Sequence, residues 1–343
     1  MTSLDPLAGP PRAVHAALAD WVRASQPPPL VVRTSGSTGR PKDVVLSRPA
    51  MLASARATLA RIGGPGQWLL ALPAHYVAGA QVLLRSVVGG TDPVVADEHA
   101  TFAAAADAMA DGVRRYVSLV PTQLVRLLAD PESRSALTAF DDVLLGGAAA
   151  TPTLLTDSRA AGVRVVTTYG MSETCGGCVY DGVPLDGVGV RLDSTGRIHL
   201  LGPVLFDGYR DRPELTAETL VDGQLRTPDL GRLDDDGRLE VLGRADDVVV
   251  SGGVNVPLPA VEQRLREHPA VGEVAVVGAD DQEWGSRVVA FLAVREKVGL
   301  EALRDFVSAT LPRAWAPRQL VVVPTLPMLD SGKVDRATLR AML

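Results

Sequence analysis

Leu30-Val31-Val32-Arg33-Thr34-Ser35-Gly36-Ser37-Thr38-Gly39-Arg40-Pro41-Lys42 is a short apolar run that breaks into glycine and hydroxyl residues and ends on lysine. The apolar run reads as a strand. Glycines let the following backbone turn several N–H groups toward one anion. The Ser and Thr hydroxyls add donors, and Lys42 adds a compact positive charge. A surface turn uses the same residue types, but the whole string favours phosphate. It is not a Walker-type loop, which places Ser or Thr directly after Gly-Lys; here Arg40-Pro41 intervenes and Asp43 follows Lys42. Of 34 basic residues only Lys42, Lys297 and Lys333 are lysines. Two of the three therefore stand in glycine-hydroxyl strings, Lys333 being in Asp330-Ser331-Gly332-Lys333.

Outward from this loop, short apolar runs alternate with helical stretches as far as about residue 170. The runs are Leu69–Leu72, Pro93–Val95, Tyr116–Val120, Val143–Leu145 and Val163–Val166. The helices are expected over Ser47–Ile62, Thr101–Asp111 and Thr122–Ala129. With Val31-Val32 as the first strand, the alternation predicts βαβ units and a mainly parallel sheet covered on both faces. Residues 185–242 change character. Asp193-Ser194-Thr195-Gly196 and Asp234-Asp235-Asp236-Gly237 read as hairpin turns of a β-rich subdomain. Beyond Gly243 an α+β domain is expected, with helices at Leu258–Glu267 and Glu301–Leu311 and strands at Val271–Gly278, Val288–Val294 and Gln319–Val323. The expected division is thus residues 1–242 and residues 243–343, joined at Leu242-Gly243-Arg244-Ala245-Asp246-Asp247.

The chain has 343 residues, 46% of them hydrophobic, enough for more than one core. A net charge of −6 without a basic run disfavours nucleic acid as a partner. The most apolar window, Trp68–Leu84, holds Pro73, His75 and Gln81, so it reads as strand and helix rather than a membrane span. The start lacks a signal-peptide pattern, and a cytoplasmic enzyme is expected. Cys175-Gly176-Gly177-Cys178 has the spacing of a redox pair or half a zinc site. No second cysteine pair or His cluster accompanies it, so two reduced, partly buried thiols are expected.

Four further strings suit nucleotide chemistry. Tyr169-Gly170-Met171-Ser172-Glu173-Thr174 follows a strand and offers a hydroxyl and a carboxylate for phosphate and Mg²⁺. Arg226-Thr227-Pro228-Asp229 places a carboxylate at an expected strand end, where it can accept from ribose hydroxyls. Gly243–Asp247, continued by Ser251-Gly252-Gly253, is the third, and Ser331-Gly332-Lys333-Val334-Asp335-Arg336 the fourth. Each alone is weak; a surface acid or a turn cap explains it as well.

In this order and at these separations, the strings resemble the adenylate-forming superfamily of acyl- and aryl-CoA ligases, adenylation domains and luciferases. The resemblance runs from about Leu30 to Arg336. It implies the adenylate-forming α/β fold: a large N-terminal α/β/α domain with a β-rich subdomain, and a small mobile α+β C-terminal domain. It also implies ATP, Mg²⁺ and CoA. An acid attacks the α-phosphate of ATP, and a thiol then displaces AMP. By motif, Thr34, Ser35, Gly36, Ser37, Thr38, Gly39 and Lys42 would hold the β- and γ-phosphates, and Gly146, Gly147, Ala148 and Ala149 would line adenine. Tyr169 would stack on adenine beside Gly170 and Met171, Ser172 would bind the α-phosphate, and Glu173 would hold Mg²⁺. Asp229 would bind ribose, with Arg244 close by. Asp246 would be the hinge, Gly252 and Gly253 would line the pantetheine tunnel, and Lys333 would meet the acyl carboxylate. The family's usual Tyr-Arg-Thr-Gly-Asp reads Leu225-Arg226-Thr227-Pro228-Asp229 here.

Ala71-Leu72-Pro73-Ala74-His75-Tyr76-Val77-Ala78-Gly79, with Leu84-Arg85-Ser86 and Glu173–Gly177, resembles the o-succinylbenzoate–CoA ligase branch of menaquinone synthesis in actinobacteria. That resemblance implies an acid-binding segment with His75, Tyr76, Gly79 and Arg85. Read from the residues, His75 also suits a core position at a helix entry, and for Arg85 a surface position is favoured. A different acyl-CoA ligase, a stand-alone adenylation domain, and a non-catalytic nucleotide-binding module are the rival readings. Oligomeric state is not legible, and a homodimer is compatible with the chain.

Overall fold

The computed structural model describes residues 6–34, 41–328 and 334–343, and of Asp246 the backbone only. Ser35, Gly36, Ser37, Thr38, Gly39 and Lys333 lie outside the described residues. In chain order the elements begin α1 (Pro11–Arg23), β1 (Leu30–Thr34), β2 (Lys42–Leu46), α2 (Arg48–Arg61), β3 (Gln67–Leu70) and α3 (Val77–Gly89). They continue β4 (Val94–Val95), α4 (Phe102–Asp107), β5 (Arg115–Leu119), α5 (Pro121–Ala129), α6 (Pro131–Leu137), β6 (Asp142–Leu145) and α7 (Pro152–Ala160). Next come β7 (Val165–Met171), β8 (Gly176–Tyr180), β9 (Val183–Pro184), β10 (Gly189–Leu192), β11 (Arg197–Leu201), β12 (Gly208–Tyr209), α8 (Pro213–Thr219), β13 (Leu220–Val221), β14 (Gln224–Leu233) and β15 (Leu239–Arg244). The chain closes with β16 (Val248–Ser251), β17 (Val254–Pro257), α9 (Leu258–Arg266), β18 (Val271–Asp281), β19 (Gly285–Val294), α10 (Leu300–Ser308), β20 (Gln319–Val322) and α11 (Arg336–Ala341).

The helices start where capping chemistry says they should. Ser47, Thr101 and Thr151 accept from the N–H three residues on, at 3.4, 3.1 and 3.1 Å. Proline occupies the first turn of α2, α5 and α7.

The chain divides into two compact units. One comprises Met1–Arg191, His199–Thr227 and Asp234–Leu239; the other comprises Leu192–Ile198, Pro228–Leu233 and Glu240–Leu343. The first unit holds a seven-stranded sheet in the order β4–β3–β5–β6–β7–β8–β9. Its first five strands are parallel, and β8 and β9 add antiparallel. Val117, Leu119, Val143 and Leu145 share one core with Leu124, Leu137 and Leu154 of the helices. Helix α3 is buried from Gly79 through Ser86, as an apolar helix packed on several sides must be.

One expectation fails here. Val31-Val32 is not a strand of the parallel sheet. β1 pairs antiparallel with β2, from Leu30 opposite Leu46 to Thr34 opposite Lys42. β12 extends this small sheet on the far side of β2, with Tyr209 opposite Val44. Only residues 35–41 separate β1 from β2. A parallel return needs a crossover of a dozen or more residues, so a connection this short forces antiparallel pairing.

A further sheet runs β10–β11–β14–β13, with β15 beside β14. Both expected turns are present: Gly196 and Gly237 have φ of +80° and +75°, and each donates its N–H to the aspartate three residues back. Asp229, however, is not at a strand end. β14 continues four residues past it, to Leu233. In the second unit, β16 and β17 form a hairpin, β18 and β19 pair antiparallel, and β20 joins β19 in parallel. Alternate β18 residues enter two cores: Val274 and Val276 with α9 and α10, Ala275 and Val277 with Leu339 of α11.

Candidate active site

The phosphate string connects two paired strands, and its stem is tied by charge. Thr34 and Lys42 are the last partners before the loop, and Thr34 Oγ1 donates to the Lys42 carbonyl at 3.4 Å. One residue down, Arg33 grips Asp43 with two parallel bonds, Nε to Oδ1 at 2.8 Å and Nη2 to Oδ2 at 3.0 Å. Arg210, directly after β12, reaches the same carboxylate with its guanidinium, and its N–H donates to the Asp43 carbonyl at 2.9 Å. Hydrogen bonds from Arg33 hold the Asp43 carboxyl below its usual range, against some desolvation and with help from Arg210. Asp43 thus fixes where Lys42 begins its strand.

Beside this stem lies the end of β7. After Met171 the chain turns through Ser172–Thr174, and Cys175 takes φ +53°. Thr174 Oγ1 accepts from the Met171 N–H at 2.9 Å and donates to the Gly176 carbonyl at 2.7 Å, closing the turn. Glu173 is anchored at both ends. Its carbonyl accepts from the Phe206 N–H at 3.0 Å, and its Oε1 accepts from the Tyr209 hydroxyl at 2.6 Å. Tyr209 is 7% exposed. Burial pushes its phenol well above the ordinary value, and the neighbouring Glu173 charge adds to this. The Lys42 ammonium lies 5.0 Å from the centre of the Tyr209 ring. Lys42, Glu173 and Tyr209, from three distant segments, therefore meet at one place.

The strand ends next to them are glycine-lined. A Cβ on Gly146 would lie 2.4 Å from Thr168 Oγ1, and one on Gly170 would lie 2.1 Å from the Gly176 carbonyl. Gly147 has φ +79°. The Gly146–Ala149 stretch thus leaves the carboxyl end of β6 beside β7, which carries Tyr169. The carboxyl ends of parallel strands are where open α/β sheets bind ligands.

Residues 24–205 match the sequence profile described as AMP-binding enzyme, and residues 260–333 match the one described as AMP-binding enzyme C-terminal domain. This chain belongs to the AMP-binding enzyme family. The chain is 48% identical over 322 residues to the probable 2-succinylbenzoate–CoA ligase of Mycobacterium tuberculosis, covering 90% of this chain and 83% of the relative. It is 33% identical to the 2-succinylbenzoate–CoA ligase of Listeria innocua, covering 90% and 69%. Among solved structures it matches o-succinylbenzoate CoA synthetase of Bacillus subtilis in complex with the acyl-adenylate intermediate OSB-AMP. That match has 31% identity and a TM-score of 0.74, and covers 91% of this chain and 68% of that one. The same enzyme in complex with ATP and magnesium matches at 30% identity and a TM-score of 0.72, covering 90% and 69%.

In this AMP-binding enzyme the segment expected to bind the acid opens α3. Tyr76 caps the helix, its N–H donating to the Pro73 carbonyl at 3.2 Å. A Cβ on Gly79 would meet that carbonyl oxygen at 2.2 Å, so the turn needs glycine there. His75 and Tyr76 are both exposed, their rings 4.3 Å apart. His75 is thus not a core residue: it is exposed and precedes the helix. Arg85 is not on the surface either. It is 4% exposed, because it lies on the buried stretch of α3 about 14 Å along the axis from Tyr76. Its guanidinium carbon stands 5.0 Å from the centre of the Trp68 ring, and Nε has no hydrogen-bond partner. Burial lowers its pKa. Among the described residues no carboxylate pairs with it. Cys175 and Cys178 are free and fully buried, and burial pushes the Cys178 thiol up to about 12 and Cys175 further still.

In the second unit, Asp229 is half-buried within β14 and Arg244 ends β15. Gly252 and Gly253 make the β16–β17 turn with φ of +58° and +78°. A Cβ on Gly252 would stand 2.6 Å from the Trp284 ring, while Gly253 faces open space. Nothing in the residue pattern singled out Tyr209. The only local signal is a tyrosine after Gly208, whose φ is +146°.

Proposed function

We infer that this chain is an AMP-forming 2-succinylbenzoate–CoA ligase, which activates o-succinylbenzoate with ATP and passes it to CoA for menaquinone synthesis. The observation that carries the reading is the meeting of Lys42, Tyr209 and Glu173 beside the stem of the phosphate loop, in a chain 48% identical to a relative of that name. The reaction brings a carboxylate to a triphosphate, so its difficulty is negative charge on both partners. Lys42 and the Thr34–Gly39 string hold the β- and γ-phosphates. Ser172 donates to the α-phosphate. Tyr169 and the Gly146-Gly147-Ala148 stretch, with Gly170 and Met171, hold adenine. Asp229 accepts from the ribose hydroxyls with Arg244 near it, and Lys333 orients the attacking carboxylate. Gly252 and Gly253 line the pantetheine tunnel with their backbone, and Asp246 is the hinge about which residues 243–343 turn between the two half-reactions.

Magnesium fits the donor set. Glu173 keeps one oxygen on Tyr209 and has the other without a hydrogen bond among the described residues. No group of three or more His, Cys, Asp or Glu that could cage a metal occurs among the described residues. One carboxylate with nucleotide phosphates is the usual Mg²⁺ arrangement, and the ion would supply neutralising charge on those phosphates.

For the acid, His75, Tyr76 and Gly79 frame the entrance, and Arg85 supplies the cation that a second, unreacted carboxylate requires. A buried guanidinium with no carboxylate partner among the described residues supports that role. The enzyme works in the cytoplasm, and a homodimer is compatible with this reading. Pyrophosphate release from ATP and Mg²⁺, with a panel of acids and with or without CoA, tests the reading. Release confined to o-succinylbenzoate and leading to the CoA thioester is expected. Release with other acids alone moves the substrate; none with any acid leaves a nucleotide-binding module.

A further inference from the structure

We propose that Tyr209 is a positioning residue that holds Glu173 and Lys42 apart and aims both at the metal–triphosphate. The inference rests on the reading of Glu173 as the Mg²⁺ carboxylate. Tyr209 touches both groups: its hydroxyl donates to Glu173 Oε1 at 2.6 Å, and its ring lies under the Lys42 ammonium at 5.0 Å. Its own position is fixed twice. β12 seats it against β2 opposite Val44, and its N–H donates to Thr216 Oγ1 at 2.9 Å. The ring packs edge-on against Phe206, centroids 5.0 Å apart.

A lysine and a glutamate converging on one spot would otherwise pair with each other, leaving less charge for phosphate and metal. Among the described residues neither forms an ion pair. The aromatic face offers Lys42 a site that cancels no charge. The phenol holds one carboxylate oxygen, and the other has no hydrogen bond among the described residues. Groups that orient a metal-binding carboxylate in this way typically change metal affinity by about 10–100-fold when removed.

The test uses the full chain saturated with ATP and Mn²⁺ as the probe, free Mn²⁺ being counted by electron paramagnetic resonance. Tyr209→Phe keeps the ring and should weaken Mn²⁺ binding about tenfold. ATP affinity measured in EDTA should stay at the wild-type value. Tyr209→Leu also loses the ring, and ATP binding in EDTA should then weaken by about two- to fivefold. Glu173→Gln should weaken Mn²⁺ at least as much, and adding Tyr209→Phe to it should cost nothing further. Wild-type Mn²⁺ affinity in Tyr209→Phe, beside a loss in Glu173→Gln, overturns the role of Tyr209 and leaves that of Glu173 standing. Wild-type affinity in Glu173→Gln overturns the metal reading and the proposal with it. A lowered melting temperature of Tyr209→Phe at unchanged Mn²⁺ affinity marks a purely structural residue and overturns the proposal too. Chain labelled with 3-fluorotyrosine gives a readout without substitution: bound Mn²⁺ should broaden one fluorine resonance strongly, and equal, weak broadening of all would count against the contact.

Discussion

Replacing Arg85 by methionine separates stability from recognition. Arg85 is 4% exposed, its Nε is unpartnered, and no carboxylate of the described residues pairs with it. Guanidinium groups stay protonated in proteins even when burial lowers their pKa, so the fold carries a buried charge. An unpaired buried ion costs several kcal/mol, of which the stack on Trp68 returns about 1–2 kcal/mol. Methionine keeps most of the stem and removes the charge. Arg85→Met should therefore stabilise the substrate-free protein by about 2 kcal/mol, raising the melting temperature by about 4–8 °C. The same change should hurt the enzyme. A charge-assisted bond to the unreacted carboxylate is worth about 1.5–3 kcal/mol, or about 10–150-fold in the KM for o-succinylbenzoate, with the KM for ATP unchanged. An analogue lacking that carboxylate should bind wild type and variant alike. Thermal unfolding and steady-state pyrophosphate release suffice. A lowered melting temperature with unaltered KM would refute the reasoning, because the charge would then be compensated within the fold and idle toward substrate.

Gly170→Ala should cost about 1–3 kcal/mol, since its Cβ would sit 2.1 Å from the Gly176 carbonyl and 2.7 Å from Gly177 Cα. Gly299→Ala, with open space around it, is the control, and equal melting temperatures for the two variants would contradict the clash. The Asp43 carboxyl is held low by Arg33. Its contribution is therefore present above the unfolded value of about 4 and fades as pH falls toward the folded value. Asp43→Asn should be less stable than wild type at neutral pH, with the gap in urea midpoint closing in acid; a constant gap would speak against the linkage. Burial raises both thiols, Cys178 to about 12. Iodoacetamide at pH 8 should thus label Cys175 and Cys178 only after unfolding, and rapid labelling of the native chain would show the thiols to be accessible.

What could be read along the chain is what is local in it. The strand–helix alternation, the capped starts of α2 and α4, both Asp-to-Gly turns and the order of the five nucleotide strings depend on spacing within a few residues. The capped helix starts and both turns appear where their residues stand. Family membership was legible for the same reason, because motif order survives without knowledge of contacts. Pairing and burial were not legible. β1 looked like a first parallel strand until the short return to β2 turned it into half of a hairpin. Asp229 was expected at a strand end, yet β14 runs through it. Arg85 looked superficial because charge alone predicts exposure, whereas the apolar residues around it in α3 carry it inside. Tyr209 had no motif at all. It reaches Glu173 across 36 residues of chain because β12 lies against β2, and register between strands distant in sequence sets which side chains meet. The sequence by itself determined the kind of chemistry this chain carries; tertiary pairing decided which tyrosine holds its carboxylate and which arginine is carried into the interior.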